Sequence, residues 1–204
     1  MEQRSDDWFS VRLGKVTASK IADVMAKTKS GYGASRANYM MQLLCERLTG
    51  AREESYTNAA MQRGTDLEPV ARSNYELLYE PVTEVGFILH PTIAMSGASP
   101  DGVVGDGLLE IKCPNTATHV EFIRTGVIDK KYILQMSFQM MCADKVWCDF
   151  VSFDDRLPPE LQMVVIRVDR DKSLCDEIET EVKLFLSELG ELEAEMLNKM
   201  GEAK

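Results

Sequence analysis

Residues Ser99–Lys112, S-P-D-G-V-V-G-D-G-L-L-E-I-K, constrain the fold more than any other stretch. Gly105-Asp106-Gly107 is a strong turn signal between two apolar runs, Val103–Val104 and Leu108–Lys112, so the segment predicts a β-hairpin. Side chains alternate along a strand. Glu110 and Lys112 therefore share one face, and Ile111 points into the opposite layer. The hairpin swings Asp101 beside them. Leu108, Leu109 and Ile111 are apolar enough for a buried strand, in which Glu110 and Lys112 are costly unless paired or metal-bound. Two carboxylates and an ammonium on one face make a hard-cation site beside a fixed positive charge, the equipment of metal-assisted attack on a phosphodiester. A surface turn at Pro100-Asp101-Gly102 and a structural Glu110–Lys112 salt bridge are the plainer alternatives. Asp106, between two glycines at the hairpin tip, reads as a turn residue.

Composition narrows the choice of metal. The five cysteines are odd in number and form no C-x-x-C pair, which argues against a disulfide framework and a thiolate zinc site. Two histidines are too few for an imidazole-based zinc or iron centre. Any metal here takes oxygen ligands, which means magnesium or manganese. The length of 204 residues predicts one domain with an appended element. No apolar run approaches the ~20 residues of a membrane span. The polar start, Met1–Asp7, lacks a signal-peptide core, so a cytosolic location is expected. The net charge of -10 argues against nucleic acid when taken alone. The charge is uneven, however: the first fifty residues are mildly basic, with Arg4, Arg12, Lys15, Lys20, Lys27, Lys29, Arg36 and Arg47, and residues after Asp171 are strongly acidic.

The periodicity predicts a helix capped by Thr17 or Ser19 and carrying Ile21, Val24 and Met25 on its apolar face. A turn-rich loop over Thr28–Ser35 precedes a helix over Arg36–Leu48 that Gly50 ends. Asn58–Tyr79 reads as helical, with Pro69 marking a start or a kink. Thr83–His90 and Ala94–Ala98 read as paired strands around Pro91. Helices are expected over Thr116–Thr125 and Tyr132–Ala143, the latter with Met136, Met140 and Met141 as core packing, then strands over Val146–Phe153 and Met163–Val168. A long amphipathic helix runs from Asp171 to the end. Helices, then a mixed sheet with a crossover helix, then a terminal helix specify an α/β fold of the α+β kind.

Asp101 followed by Glu110-Ile111-Lys112 resembles the PD-(D/E)xK nuclease signature. The surrounding words narrow the resemblance. Arg12-Leu13-Gly14 with Thr17-Ala18-Ser19, then Arg63-Gly64-Thr65-Asp66-Leu67-Glu68, Ser99-Pro100-Asp101-Gly102, Glu110-Ile111-Lys112-Cys113-Pro114 and Tyr132-Ile133-Leu134-Gln135-Met136-Ser137 stand in that order. Together they resemble the phage lambda exonuclease family, the YqaJ-type viral recombinases, from about Asp7 to Val168. The resemblance implies a single nuclease domain over 1–204. Its restriction-endonuclease-like core, a central mixed β-sheet flanked by helices, spans about 7–168, and 171–204 form the acidic terminal helix. Asp101 and Glu110 would hold a divalent ion, with the Ile111 backbone carbonyl and Glu68 as further ligands. Lys112 would orient or help deprotonate the attacking water and stabilise developing charge. Gln135 and Tyr132 would line the site, Arg12, Ser19 and Ser99 would form a pocket for a 5′-terminal phosphate, Tyr132 would also face DNA, and Met61 would wedge the duplex end open.

The guanidinium fork and the hydroxyls suit phosphate oxygens on their own chemistry, and a helix N-terminus at Ser19 would favour an anion. The plain alternatives are a cap at Ser19, a surface salt bridge at Arg12, a solvated helix residue at Glu68, and solvent-facing positions at Tyr132 and Gln135. The implied activity is a magnesium-dependent 5′-to-3′ exonuclease on linear double-stranded DNA, with two ions during catalysis and manganese as a substitute. It would release mononucleotides and expose 3′ single strands for phage-type recombination in the cytoplasm of a bacterial host. The implied partners are double-stranded DNA ends, two further copies of the chain in a ring trimer, and a single-strand annealing protein. A structure- or site-specific endonuclease of the same superfamily and a non-catalytic DNA-end-binding module are the competing readings.

Overall fold

The computed structural model describes residues 2–52 and 58–202. The chain opens with α1 (Asp6–Arg12), where the Ser5 hydroxyl accepts from the Trp8 amide and closes the first turn. Next come β1 (Val16–Thr17), a 3-10 turn (Ala18–Lys20) and α2 (Ile21–Val24). The expected helix cap at Thr17 or Ser19 is absent: neither the turn nor α2 has a side-chain cap. Thr17 is drawn into a sheet instead, because Val16 and Thr17 pair in parallel with Ser96 and Gly97. Part of the expected loop forms a small hairpin, β2 (Lys27–Thr28) with β3 (Gly31–Tyr32). Helix α3 (Ala34–Thr49) ends at Gly50, whose φ of 66° is left-handed and suits glycine.

Asn58 caps α4 (Ala59–Leu78) by accepting from the Met61 amide at 2.9 Å. The helix runs through Pro69, so no helix starts there. Pro69 lies on the exposed side, where the lost helix hydrogen bond costs least. The two strands expected around Pro91 are shorter, β4 (Ile88–Leu89) and β5 (Ser96–Ala98). Thr83 pairs instead with Val103 in an isolated bridge, so residues 84–87 cross between two sheets.

The hairpin of β6 (Gly102–Val104) and β7 (Gly107–Lys112) forms as read, with Gly105 at φ 52° in its turn. Then follow α5 (Thr116–Thr125), α6 (Lys130–Ala143), β8 (Trp147–Phe153), a 3-10 turn (Pro159–Leu161), β9 (Met163–Asp169) and α7 (Lys172–Glu202). The expected helix to the chain end is described to Glu202, and residues 203–204 lie outside the described residues.

The four-stranded sheet has the order β6-β7-β8-β9, antiparallel except for the central β7–β8 pair. A parallel pair needs a crossover, which α5 and α6 supply. The pleat sorts β7 between two cores. Leu109 and Ile111 pack with Ala71 and Tyr75 of α4, and Leu108 packs with Phe122, Met136 and Met140 of α5 and α6. Glu110 and Lys112 share the face of Leu108 and so look toward α6. A third core joins α2, α3 and α6 to Ile178, Val182, Phe185 and Leu189 of α7. Met136, Met140 and Met141 are buried, as a packing stripe requires. All five cysteines are free thiols, and no helix among the described residues is long and apolar enough to cross a membrane.

Candidate active site

Side chains three and four residues apart line one face of a helix. Tyr132, Gln135 and Gln139 form such a stripe on α6, and its two amides reach the carboxylate of β7. Glu110 is 1% exposed. Gln135 Nε2 donates to its Oε1 at 2.6 Å, and Gln139 Nε2 donates to its Oε2 at 2.7 Å. The Lys112 ammonium pairs with the same carboxylate. A buried charge is tolerated when its oxygens are bonded in this way.

Asp101 enters from the segment between β5 and β6. Its backbone amide donates to the Leu109 carbonyl at 3.1 Å, and its Oδ2 accepts from the Ile111 amide at 2.6 Å. Burial first, and the Glu110 charge second, raise the Asp101 carboxyl well above the usual carboxylate range, against the opposing pull of Lys112 and the Ile111 amide. Burial works against the Lys112 ammonium, yet Glu110 and Asp101 outweigh it and hold the proton on. Glu68, on α4, is largely enclosed rather than solvated. It accepts from Arg4 Nη2 at 2.6 Å, lies 3.6 Å from Arg72, and adds to the negative field at Asp101.

The second group of predicted residues gathers next to this one. Arg12 ends α1 and donates from Nη1 to Ser99 Oγ at 3.1 Å. Trp8 Nε1 donates to the same hydroxyl at 2.9 Å, and the Arg12 guanidinium lies 4.0 Å from the centre of the Trp8 ring. Burial lowers the Arg12 pKa to about 10. Among the described residues no carboxylate forms an ion pair with Arg12, and Glu46 offsets its charge only at a distance. Ser19 stands in the 3-10 turn with its hydroxyl 3.5 Å from that of Thr17. Arg12, Ser19 and Ser99 line a cavity of about 160 Å³ together with Arg4, Gln135 and Gln139. An adjoining cavity of about 190 Å³ shares Arg12 and Ser19, adds Lys15 and Lys20, and has Glu46 as its acidic wall.

Two predicted residues stand apart. The Tyr132 ring is 5.3 Å from the Lys112 ammonium, but it faces a different cavity from that of Arg12 and Ser99. Met61 is exposed in the first turn of α4, about two turns ahead of Glu68. Gln139, Trp8 and Arg4 are additions that the sequence reading missed. Gln139 follows Gln135 by four and Arg12 follows Trp8 by four, spacings that place each pair on one helix face. Arg4 carries no such local signal; it sits at φ 69°, ahead of the first helix.

The donors present suit a hard cation. Among the described residues no three His, Cys, Asp or Glu side chains gather into a metal cage. Magnesium, however, commonly takes only one or two carboxylates and keeps its waters. Asp101 and Glu110 supply two carboxylates; burial first and the neighbouring Glu110 charge second raise the proton affinity of Asp101, and an added cation would relieve the second of these.

The sequence profile of the YqaJ-like viral recombinase domain matches residues 7–146. Among solved structures, LHK-Exo in complex with dAMP is 56% identical over 98% of this chain and 100% of its own, with a TM-score of 0.92. LHK-Exo from Laribacter hongkongensis, described as an alkaline exonuclease, is 55% identical with the same coverage and a TM-score of 0.92. A phage related exonuclease from Haemophilus somnus 129PT shares the fold at 16% identity, with a TM-score of 0.71 over 89% of this chain and 96% of that one. No curated protein matches the chain.

Proposed function

The chain belongs to the YqaJ-like viral recombinase domain family and is a DNA nuclease; we propose that it is a divalent-metal-dependent 5′-to-3′ exonuclease that releases mononucleotides from the ends of linear double-stranded DNA. The observation that carries this reading is a shared wall. Gln135 and Gln139 hold the Glu110 carboxylate and also line the cavity of Arg12, Ser19 and Ser99. A pocket that grips a terminal phosphate therefore adjoins the cutting centre, and the distance between them sets how much strand is removed.

Asp101, Glu110 and the Ile111 carbonyl are the proposed ligands of magnesium, with Glu68 helping to hold the metal through a bound water, manganese as a substitute and two ions as the working number. The bound metal would lower the pKa of a water and neutralise the scissile phosphate. The protein's own groups do the rest. Arg12 offers its fork to the terminal phosphate, and the Ser99 hydroxyl is held in place by Trp8 and Arg12. Lys112, kept charged by Glu110 and Asp101, faces the reacting phosphoryl group and offsets the negative charge that develops there. Gln135 and Gln139 keep Glu110 from turning away.

Residues 1–204 act in this reading as one nuclease domain that exposes 3′ single strands for recombination. Three copies close a ring on DNA, a single-strand annealing protein receives the product, and Met61 parts the duplex end. Sedimentation in solution tests the trimer. Digestion of linear duplex carrying 5′-phosphate or 5′-hydroxyl ends, with magnesium or with chelator, tests the activity. Rapid release from the phosphorylated end with magnesium alone is the expected result. Ready cutting of closed circular DNA would instead make the enzyme an endonuclease.

A further inference from the structure

A second cavity, of about 450 Å³, lies between α5 and the start of α6, and no step above uses it. Its floor is aromatic and aliphatic, made by Phe122, Phe150, Tyr132 and Ile128. Phe122 meets Phe150 edge-on with ring centres 5.4 Å apart, and Tyr132 tilts against Phe150 at 5.5 Å. Positive charge borders it: the ammonium groups of Lys112 and Lys131 lie 5.3 Å and 4.8 Å from the Tyr132 ring. The two carboxylates on its wall are already engaged, Glu121 by Arg124 and Asp129 by Lys131. A cavity of this size, with a ring-lined floor and a cationic edge, fits a flat heterocycle that carries a phosphate.

Its position relative to the cut follows from α6. Tyr132, Gln135 and Gln139 span roughly 10 Å along the helix at its usual rise. Gln139 lies at the Arg12 end, Glu110 is bonded between Gln135 and Gln139, and Tyr132 walls the larger cavity. A strand with its 5′-phosphate at Arg12 therefore passes Glu110 and Lys112 before it reaches Tyr132.

Resting on the exonuclease reading above, we propose that this cavity receives the second nucleobase from the 5′ end, the one on the 3′ side of the scissile phosphate. Seating that base draws its nucleotide out of the duplex and fixes the phosphodiester in front of Lys112. The same nucleotide becomes the new 5′ end after cleavage. The floor is apolar and every base has a face to stack, so the cavity accepts all four.

Single-turnover hydrolysis of the first phosphodiester in a 5′-phosphorylated linear duplex tests the proposal. The duplex is intact or carries an abasic residue at its second position, and the protein is wild type, Ala117→Trp or Val127→Trp. Ala117 and Val127 line the cavity but are exposed, so the indole fills it from the solvent side. The abasic residue is expected to slow wild type roughly tenfold, the scale of stacking one base. Either tryptophan is expected to slow the intact duplex by a similar factor, with no further loss on the abasic one. An abasic residue also removes a base pair, which eases opening of the end, so the expected slowing has the opposite sign to simple melting. No abasic effect on wild type, or an equal effect in all three proteins, overturns the proposal. Failure of wild type to release mononucleotides from the intact duplex refutes the exonuclease reading instead.

Discussion

The Glu110 carboxylate is held by three donors at once, and each makes a different claim about the chemistry. Lys112→Ala removes the one that faces the phosphoryl group. It is expected to lower turnover by at least ~100-fold, the usual loss on deleting one donor to developing charge, while melting stays cooperative. Near-normal turnover in that variant would remove Lys112 from the mechanism. Gln139→Leu strips the bond from Oε2 and leaves a buried acceptor open, at a cost of about 1–3 kcal/mol in thermal or urea unfolding. Arg12→Ala is expected to erase the preference for 5′-phosphate over 5′-hydroxyl ends, leaving both slow; a preserved preference would place the end-binding pocket elsewhere. These side chains were unequally legible. Glu110 and Lys112 were readable because a strand repeats every two residues and two charges in an apolar run demand an explanation. Gln139 was not, because it sits inside the methionine stripe of α6, where packing accounts for nearly every neighbour. The cap expected at Thr17 or Ser19 does not form, and for Thr17 the reason was hidden because the partner that draws it into a strand is Gly97, 80 residues away.

Individual elements meet at a few tight junctions. Gly107 starts β7 directly under the Trp147 indole, and a Cβ there would stand 2.2 Å from the ring. Gly107→Ala is expected to lose about 1–3 kcal/mol in denaturant unfolding, because neither the strand nor the indole can yield. The loop after β8 is anchored by Asp154, fully buried, which accepts from Arg156 Nε at 2.7 Å and from Arg63 of α4 at 3.1 Å. Burial opposes ionisation of this carboxyl, but its hydrogen bonds from Arg156 and Thr116 win and hold it below the usual carboxylate range. It binds fewer protons folded than unfolded. Its contribution to stability is complete above the unfolded value near ~4 and is lost as the pH falls below it. Asp154→Asn is expected to cost about 3 kcal/mol at neutral pH and to flatten the acid limb of a stability–pH curve. An unchanged acid limb would show that Asp154 is not the group responsible. The hairpin and the terminal helix were plain in the sequence because each carries its own turn or period. The unbroken α4 was not, because whether a proline breaks a helix depends on which side faces water.

At the scale of the molecule, the charge asymmetry noted in the sequence has a structural outcome. Lys27, Arg36 and Arg47 of the basic first fifty residues pair with Glu181, Glu188 and Glu193 of α7, at 2.6, 2.5 and 3.0 Å. Those cations are engaged on α7, so the positive side chains nearest the site are Arg12, Lys15, Lys20 and Lys112, of which Lys20 and Lys112 also pair, with Asp23 and Glu110. Few phosphate contacts give a shallow salt dependence. A plot of log affinity for duplex ends against log salt is expected to have a slope of about -3 to -4 at most. A much steeper slope would mean that another part of the assembly holds the DNA.

The closure of the helical core by α7 also has a consequence for how the enzyme comes into being. Synthesis proceeds from the N-terminus, and the candidate site residues, from Arg12 to Gln139, are all made before the first residue of α7. The core of α2, α3 and α6 nevertheless lacks Ile178, Val182, Phe185 and Leu189 until that helix leaves the ribosome. A stalled or truncated polypeptide therefore carries the residues of the cutting centre without the support that aligns them. The nascent chain passes through an interval with an open apolar face that closes when α7 emerges.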